Sequence, residues 1–453
     1  MCAIIGIYNN PESSTLAYMG LYAQQHRGQE GAGIVAAHEG KLKRHMGEGL
    51  VSEVFSDSTI FKKLPGYSSI GHTRYSTSGI SDLKNVGPLL FNINGTSVSI
   101  AHNGNLVNID ETRSSLQESG ALFQTETDTE VVIHLLARET GSSIQQRLAQ
   151  ALNKVTGAYS LLVVTPDEMI AARDPRGIRP FCIGKLNDST ILASETCALD
   201  LLGATYLREV NPGEMIVLNK DGMKSYQFTP ALEPKHCIFE FIYFSRPDSK
   251  IFSENVDKIR RKFGKNLAEE SPAPTADIVL SVPDSSNTCA LGYARRSNLK
   301  FEFGLIRNHY VGRTFIFPDQ RLRDLSVRLK FNTVNGILEG REVVIVDDSI
   351  VRGTTLRKLT KLLKHAGVKK IHVRISSPPV KNPCYFGMDF PTHNELVAHN
   401  NSVEEIQSII GVDSLKYLSI DTLLASVDRP PNHFCSACFT GNYPVDIKED
   451  KND

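Results

Sequence analysis

A late stretch of the chain has the pattern of a buried strand, an acidic pair, a tight loop and the start of a helix. Residues 343–346 are apolar, Asp347 and Asp348 follow, and residues 353–355 (Gly-Thr-Thr) open a helical pattern. A strand followed directly by a helix is the unit of a parallel sheet, and its loop presents backbone N–H groups suited to a phosphate. Two adjacent carboxylates there can meet ribose hydroxyls or Mg²⁺. An ordinary turn in which Thr354 only caps the helix is the alternative.

The order of predicted strands and helices changes at a boundary near residues 228–236, where prolines interrupt the periodicity. Before it, short strand-like segments follow one another, which favours stacked, largely antiparallel sheets. After it, strands and helices alternate, which favours a parallel sheet. We therefore predict an α+β domain over residues 2–230, an α/β domain over 231–445 and a disordered charged tail over 446–453. Predicted strands are 4–8, 33–37, 68–75, 98–102, 158–165, 169–172, 277–282, 342–346 and 370–375, and predicted helices are 130–138, 144–153, 290–296 and 355–366.

Composition limits the partners and the compartment. The 50 basic and 50 acidic residues give a formal net charge of zero, so no overall field draws the chain to nucleic acid or an anionic membrane. No apolar run approaches the roughly 18 residues of a membrane helix. The N-terminal segment also lacks the charged start of a signal peptide. We expect a cytoplasmic protein with neither nucleic acid nor membrane as a partner.

Cysteine is the second residue of the chain. An initiator methionine before a small residue is usually removed, which would leave Cys2 with a thiol and a free α-amine. The amine has an ordinary pKa of about 7.7–8.0, so it can accept the thiol proton near neutral pH. Cys2 is therefore a candidate nucleophile, and a cysteine that merely happens to stand second is the alternative.

Other segments supply the groups that a glutamine substrate needs. Arg74, in a strand leading into a small-residue turn, could bind the α-carboxylate, and Asp128, at a helix start, could bind the α-ammonium group. Asn103 and the Gly104 N–H, where another predicted strand ends in a turn, could stabilise a tetrahedral oxyanion. A plain hairpin turn at Asn103-Gly104 and a helix cap at Asp128 are the structural alternatives.

Together these segments resemble the N-terminal-nucleophile glutamine amidotransferases. The resemblance depends on Cys2 after the initiator and on residues 25–30 (Gln-His-Arg-Gly-Gln-Glu), 72–77 (His-Thr-Arg-Tyr-Ser-Thr) and 102–105 (His-Asn-Gly-Asn). Ala3 stands where the family usually has glycine. The resemblance implies an αββα sandwich. The implied catalytic residues are Cys2, Asn103 and Gly104, and the implied glutamine-binding residues are Arg74 and Asp128.

The second half resembles the type I phosphoribosyltransferases, through the ribose-phosphate signature at 343–355 and the turn at 282–286 where a pyrophosphate loop would lie. The resemblance implies that phosphoribosyl pyrophosphate is bound by Asp347, Asp348, Ser349, Gly353, Thr354, Thr355 and Lys330. Ser285, Asp347 and Asp348 match positions that the family assigns to Mg²⁺. The cations Arg321, Arg323, Arg328 and Lys330 predict a lid over pyrophosphate, for which a solvated surface helix is the alternative.

Joined, the halves resemble the amidophosphoribosyltransferase family from Cys2 to about residue 444. The resemblance implies that ammonia released from glutamine passes through an internal channel and displaces pyrophosphate from ribose C1. The product, 5-phosphoribosylamine, opens de novo purine synthesis. A homotetramer inhibited by purine nucleotides is implied as well. An asparagine-synthetase-like enzyme would need a Ser-Gly-Gly loop, which the chain lacks. A silent nucleotide-sensing relative is the alternative of another class, and the complete set of candidate catalytic residues argues against it.

Four of the eight cysteines form a candidate metal site. Cys435 and Cys438 make a C-x₂-C pair, while Cys237 and Cys384 stand alone. Four thiolates can hold either tetrahedral zinc or a [4Fe–4S] cluster, and spacing does not separate the two. The family resemblance favours the cluster, because one branch carries it on cysteines in these contexts. We expect its role to be structural, tying the domain junction to the chain end.

Overall fold

The computed structural model describes residues 2–75, 82–309, 330–390 and 392–447. Three arginines of the predicted lid, Arg321, Arg323 and Arg328, lie outside the described residues, and so do residues 448–453 of the predicted tail. Within the described ranges, no helix has the length and apolar character needed to cross a membrane.

Two antiparallel sheets form the core of the first half. Their strands are β1 (Ala3–Tyr8), β2 (Gly31–His38), β3 (Lys41–Glu48), β4 (Ser68–Arg74), β5 (Leu89–Ile93), β6 (Thr96–Leu106), β7 (Gly157–Val164), β8 (Met169–Arg173), β9 (Cys182–Leu186), β10 (Ser189–Ala193), β11 (Thr205–Glu209), β12 (Glu214–Asn219) and β13 (Gly222–Gln227). The seven-stranded sheet has the order β11-β9-β10-β1-β4-β2-β3, and the six-stranded sheet has the order β13-β12-β8-β7-β6-β5.

Helices cover the outer faces of both sheets. They are Ser13–Ala23, Val51–Val54, Thr59–Lys63, Ile109–Glu118, Asp128–Arg138, Ile144–Leu152 and Thr196–Leu202, with 3-10 turns at Gln25–Arg27 and Leu83–Asn85. Ile4 packs with Leu162 between the two sheets, whereas its neighbour Ile5 packs with Leu21 under the outer helices. Successive strand residues face opposite sides, so β1 is buried on both. The predicted αββα sandwich is confirmed.

A parallel sheet organises the second half. Its strands are β14 (His236–Cys237), β15 (Lys250–Ile251), β16 (Glu254–Asn255), β17 (Ile278–Ser281), β18 (Lys300–Phe301), β19 (Leu305–Arg307), β20 (Phe331–Thr333), β21 (Glu342–Asp347), β22 (Lys370–Ile375), β23 (Ser414–Tyr417) and β24 (Phe434–Cys435). Five of these strands form the sheet in the order β18-β17-β21-β22-β23, with every pair parallel. The predicted parallel-sheet domain is therefore confirmed.

Helices pack on both faces of this sheet. They are Val256–Glu270, Asn287–Ser297, Asn335–Leu338, Thr354–His365, Val397–Asn400, Val403–Ile410, Ile420–Ala425 and Ala437–Thr440, with 3-10 turns at His393–Glu395 and Pro431–His433 and a π-helix at Glu240–Phe244. Val344 packs with Phe263 on one face, and its neighbour Ile345 packs with Leu359 on the other. A strand covered on both sides explains the continuous apolar run that the sequence shows before Asp347.

Two details of the sequence interpretation are wrong. The strand predicted over 98–102 does not end in a turn at Asn103-Gly104. It runs through Thr96–Leu106, because β7 pairs with it along that length, with Asn103 opposite Ser160 and Gly104 opposite Tyr159. The helix Ser13–Ala23 was not predicted, since its buried face is built partly of serine, alanine and glycine and shows no apolar stripe.

We predict that Gly264→Ala destabilises the second half. A Cβ at Gly264 would lie 1.8 Å from the carbonyl oxygen of Cys289, where the helices Val256–Glu270 and Asn287–Ser297 cross. Forcing the helices apart should cost about 1–3 kcal/mol of unfolding free energy, measured by urea denaturation. Gly336→Ala is the matched control, because its Cβ would meet open space. Equal stability of the two variants would contradict this packing.

Candidate functional site

Cys2 precedes β1 and is buried between the ends of neighbouring strands. The chain after it is fixed on both sides, since Ala3 pairs with Thr73 of β4 and the N–H of Ile4 donates to the Ser194 hydroxyl at 3.0 Å. The Cys2 Sγ lies 3.7 Å from the carbonyl oxygen of Tyr75. The nucleophile candidate is therefore held at the end of β1, the central strand of the seven-stranded sheet.

The environment of Cys2 favours its thiolate. Burial by itself raises the pKa of the thiol, but His72, together with the N-terminal amine and the hydrogen bond to the Tyr75 backbone, outweighs burial and lowers the pKa to about 6. His72 is itself buried on β4, with Nε2 3.2 Å from the carbonyl oxygen of His102. The sequence interpretation used His72 only as part of a motif and assigned it no role. A histidine two residues before the candidate arginine was the available signal.

A small cavity of about 30 Å³ opens beside Cys2. Among the described residues, its lining includes Arg74, Gly104 and Asp128, three of the side chains or backbone groups predicted for glutamine. The tertiary structure thus brings together groups that are separated by up to 126 positions in the sequence.

Asp128 forms a buried pair with His102 at the wall of this cavity. Its Oδ1 lies 3.5 Å from His102 Nδ1, and its Oδ2 accepts a hydrogen bond from the Leu106 N–H at 3.0 Å. Burial raises the pKa of Asp128, but His102 outweighs it and holds that pKa below its usual value. Thr127, not Asp128, is the N-cap of the helix Asp128–Arg138. The carboxylate is therefore ionised and not used as a helix cap.

Arg74 ends β4 with its side chain buried at the cavity. Its Nη1 donates to the carbonyl oxygen of Asn85 at 2.9 Å, which fixes one end of the guanidinium. Its own carbonyl oxygen accepts the N–H of Glu30 at 3.1 Å, so the backbone is fixed as well.

Asn103 and Gly104 occupy adjacent positions of β6 and differ in surroundings. Gly104 lines the cavity, whereas Asn103 does not and is fully buried with Nδ2 3.4 Å from the Ser194 hydroxyl. The Oδ1 atom of Asn103 has no hydrogen-bond partner among the described residues. Gly104 has φ +156°, and a Cβ there would lie 1.9 Å from the carbonyl oxygen of Ala158. Only glycine fits this position.

Arg27, from the motif at residues 25–30, joins the nucleophile to the second half. Its guanidinium is fully buried, and Nε donates to the Cys2 carbonyl oxygen at 3.1 Å. Nη1 donates to Glu195 at 2.5 Å, and Nη2 donates to Glu240 at 2.8 Å. Glu240 begins the π-helix Glu240–Phe244. The sequence interpretation gave Arg27 no role, because its carboxylate partners are distant in sequence.

The acidic pair lies at the carboxyl end of β21, where parallel sheets usually bind ligands. Ser285 Oγ donates to Asp348 at 2.6 Å, and Ser286 Oγ donates to Asp347 at 3.0 Å. Burial raises the pKa of both carboxyls, and for Asp347 the negative charge of Asp348 raises it further. Two buried, mutually repelling carboxyls favour a bound cation.

A larger cavity of about 380 Å³ lies over this pair. The structure places every predicted phosphoribosyl pyrophosphate residue along it, together with Ser285: Lys330, Asp347, Asp348, Ser349, Gly353, Thr354 and Thr355. Gly353 is the N-cap of the helix Thr354–His365, with φ +71°. A left-handed residue there turns the loop so that the helix N-terminus faces the cavity. Thr354 is thus the first helical residue and not the cap.

The cysteines of the candidate metal site converge from three segments. Cys237 on β14 stands opposite Cys435 on β24, and the carbonyl of Cys438 accepts the N–H groups of Lys381 and Asn382 close to Cys384. Burial, and then the charges of Cys384, Cys237 and Cys435, raise the pKa of Cys438. Within the described ranges, no group of three or more His, Cys, Asp or Glu is spaced to hold a metal ion.

Comparison with known proteins finds relatives of both halves. A model of the glutamine amidotransferase domain matches residues 72–201, and a model of the phosphoribosyl transferase domain matches residues 257–377. The chain is 52% identical over 452 residues to amidophosphoribosyltransferase 1, chloroplastic, of Arabidopsis thaliana, which covers 99% of this chain and 80% of the relative. It is 48% identical over 454 residues to the amidophosphoribosyltransferase of Bacillus subtilis, and this match covers 99% of this chain and 95% of the relative.

A solved structure has the same fold over nearly the full length. It is glutamine phosphoribosylpyrophosphate amidotransferase from Bacillus subtilis complexed with ADP and GMP, with a TM-score of 0.93 and 48% identity over 99% of this chain and 98% of that one. Since this identity extends through both domains and both cavities, the chain belongs to the amidophosphoribosyltransferase family.

Proposed function

We propose that this enzyme hydrolyses glutamine at Cys2 and uses the ammonia at the acidic pair to make 5-phosphoribosylamine from phosphoribosyl pyrophosphate, the first step of purine biosynthesis. One observation carries the proposal: a thiol whose pKa is lowered to about 6 and a carboxylate pair under a phosphate-sized cavity belong to two halves of one chain. Arg27 and Glu240 connect the halves by buried hydrogen bonds.

At the first centre, the Cys2 sulfur attacks the amide carbon of glutamine. A C–S bond forms, the carbonyl oxygen takes the electron pair, and the tetrahedral species then collapses with release of ammonia. We assign stabilisation of the oxyanion to the Gly104 N–H, which lines the cavity, and to the amide of Asn103, which precedes it on β6 behind the cavity wall. Once Met1 is removed, the free amine of Cys2 accepts the thiol proton and gives it to the departing ammonia. Water then hydrolyses the thioester to glutamate.

Recognition of glutamine rests on two buried charges at the cavity wall. Asn85 fixes one end of the Arg74 guanidinium, and this planar cation binds the substrate α-carboxylate. Asp128 is held ionised by His102 and binds the α-ammonium group. The two charges are opposite, so they fix the direction in which glutamine enters.

At the second centre, ammonia attacks ribose C1 while the C1–O bond to pyrophosphate breaks. Asp347 and Asp348 hold the ribose hydroxyls, and the loop with Ser349, Gly353, Thr354 and Thr355 binds the 5-phosphate. Lys330 contacts the departing pyrophosphate. The oxygen donors Asp347, Asp348 and Ser285 suit Mg²⁺, which when bound neutralises charge on the pyrophosphate.

We assign a [4Fe–4S] cluster to Cys237, Cys384, Cys435 and Cys438. The family resemblance favours this cluster over zinc, and the four thiols lie close enough for their charges to raise the pKa of Cys237, Cys435 and Cys438. The cluster would tie β14 at the domain junction to β24 at the chain end, so its role is structural.

We propose that the chain is organised as two domains and that it forms an oligomer. We divide the chain into a glutaminase domain at 2–230 and a transferase domain at 231–445, because β13 ends the first sheets at Gln227 and β14 begins at His236. The Bacillus subtilis structure contains ADP and GMP, which supports binding of purine nucleotides here, and we propose that they inhibit the enzyme. A homotetramer in the cytoplasm completes the proposal.

Cys2→Ala should abolish glutamine-dependent synthesis while leaving synthesis from ammonium within about twofold of the wild type. The physical reason is that only the first centre needs a sulfur nucleophile. Product formation is measured with each nitrogen donor. Cys182→Ala is the control, because that thiol is buried in the outer layer of the sandwich. Equal loss with both donors would refute two separate centres.

Replacing both Asp347 and Asp348 by Asn should lower phosphoribosylamine formation by at least about 100-fold, because the ribose and the cation lose their anionic ligands. Glutamine hydrolysis should persist. Both rates are measured on the same preparation, with Asp421→Asn as an exposed control on another helix. A double variant that still makes product would show that the acidic pair is misassigned.

Alkylation of Cys2 by iodoacetamide should fall as the pH drops through about 6. The lowered pKa keeps the thiolate populated above that pH, and protonation below it removes the nucleophile. His72→Asn should move the midpoint to higher pH, because it removes the group that lowers the thiol pKa. The half-exposed His38→Asn serves as control. Alkylation is followed by mass spectrometry of the Cys2 peptide. If His72→Asn leaves the midpoint of the pH profile unchanged, His72 does not lower the thiol pKa.

A further inference from the structure

Arg179 is a fully buried cation whose contacts extend toward both Cys2 and the candidate cluster. It follows β8 in the first half, yet its strongest hydrogen bonds go to the second half. Nε and Nη2 donate to the carbonyl oxygen of Phe386 at 2.9 and 2.5 Å. Nη1 lies 3.4 Å from Glu240 Oε1. A planar guanidinium can make both contacts at once, which a lysine cannot.

One route from Arg179 leads through the segment that carries Cys384. Phe386 is two residues beyond this proposed ligand, and its N–H donates to the Cys384 Sγ at 3.4 Å. Gly387, with φ +103°, approaches so closely that a Cβ would lie 3.0 Å from the carbonyl oxygen of Gly104. Asn105 also donates to the carbonyl oxygen of Tyr385 at 3.0 Å. The cysteine segment therefore lies directly against the strand that carries the oxyanion donor.

A second route leads through Glu240 to the nucleophile. The same Oε1 that meets Arg179 accepts from Arg27 Nη2 at 2.8 Å, and Arg27 Nε in turn donates to the Cys2 carbonyl oxygen at 3.1 Å. Two guanidinium groups thus share one buried carboxylate between the cysteines and Cys2. Displacing either guanidinium would remove one of the two cations that hold the buried Glu240 carboxylate in place.

The charges around Arg179 fit a place beside a thiolate-ligated cluster. Burial lowers the pKa of Arg179, but Cys237, Glu240 and Cys384 outweigh burial and raise it. Glu240 is shared between Arg27 and Arg179, and Glu195 pairs with Arg27 as well, so these two cations face two buried carboxylates. A cluster held by four thiolates carries excess negative charge, and a cation outside the ligands stabilises it.

We propose that Arg179 is a positioning residue that couples the four-cysteine site to the glutaminase centre, holding the Cys384 segment against Gly104 and, through Glu240 and Arg27, fixing the backbone of Cys2. This inference rests on the proposed function, which supplies both the cluster and the role of Cys2. In this proposal Arg179 touches no reacting atom. Its removal loosens both the Cys384 segment and the backbone of Cys2.

The test compares Arg179→Gln with Arg176→Gln in the full-length holoenzyme purified without oxygen. Arg176 belongs to the same turn but is partly exposed, and its side chain lies 3.5 Å from the Glu233 carbonyl oxygen. Iron per chain and the rate of iron release to a chelator report on the cluster. The rate at which 6-diazo-5-oxonorleucine, a glutamine-like electrophile, modifies Cys2 reports on the glutaminase centre, and ammonium-dependent synthesis reports on the transferase centre.

We expect Arg179→Gln to speed iron release and to slow Cys2 modification, each by about tenfold, while ammonium-dependent synthesis stays within about twofold. Arg176→Gln should change none of these rates. Should Arg179→Gln not fold, Arg179→Lys keeps the charge but loses the fork to Phe386, and it should show both effects more weakly. If Arg179→Gln changes only iron release, only Cys2 modification or neither rate, the proposed coupling is wrong. If the wild-type protein contains no iron, the cluster assignment is wrong. If the wild-type protein does not use glutamine for synthesis, the proposed function is wrong. These two controls on the wild type separate failure of the coupling from failure of the proposed function.

Discussion

A buried group of opposite charges centred on Arg27 holds the two halves of the chain together and fixes the backbone of Cys2. Glu195 comes from the first half and Glu240 from the junction, and all three side chains are inaccessible to solvent. Despite burial, which raises it, the pKa of Glu195 is held below its usual value by His26 and Arg27. Removing one partner of such a group leaves an uncompensated buried charge, which costs about 3–5 kcal/mol. The position of Cys2 therefore depends on charge balance at the domain junction.

The two cavities differ as their chemistry requires. The first is small and closely lined, and it shifts the pKa of one thiol downward with a neighbouring imidazole. Such surroundings favour the thiolate form of Cys2. The second is wider and lined by carboxyls whose pKa values are raised by burial, with a helix N-terminus opposite. Repelling carboxyls and backbone N–H groups together suit a polyanion that arrives with a cation.

Most of the second site could be predicted from the sequence, because its residues are nearly contiguous. Strand, acidic pair and glycine turn occupy thirteen consecutive positions, 343–355, and the backbone between them fixes their arrangement. The first site was predicted by residue type but not by geometry. Asn103 was assigned to a turn, yet it lies within β6, since pairing with β7 overrides the local turn preference of Asn-Gly. His72, Arg27 and Arg179 received no role, because each acts through partners far away in the chain.

The sequence alone determined the chemical inventory of this protein: a second-position cysteine, an acidic pair before a glycine turn, four cysteines in three segments and the family that combines them. Only the tertiary structure decided which of these groups meet. Local patterns report on hydrogen bonds and side-chain periodicity within one element, whereas an electrostatic contact such as Arg27 with Glu240 joins residues 213 positions apart. Its strength comes from the exclusion of water, and burial is a property of the packed chain as a whole.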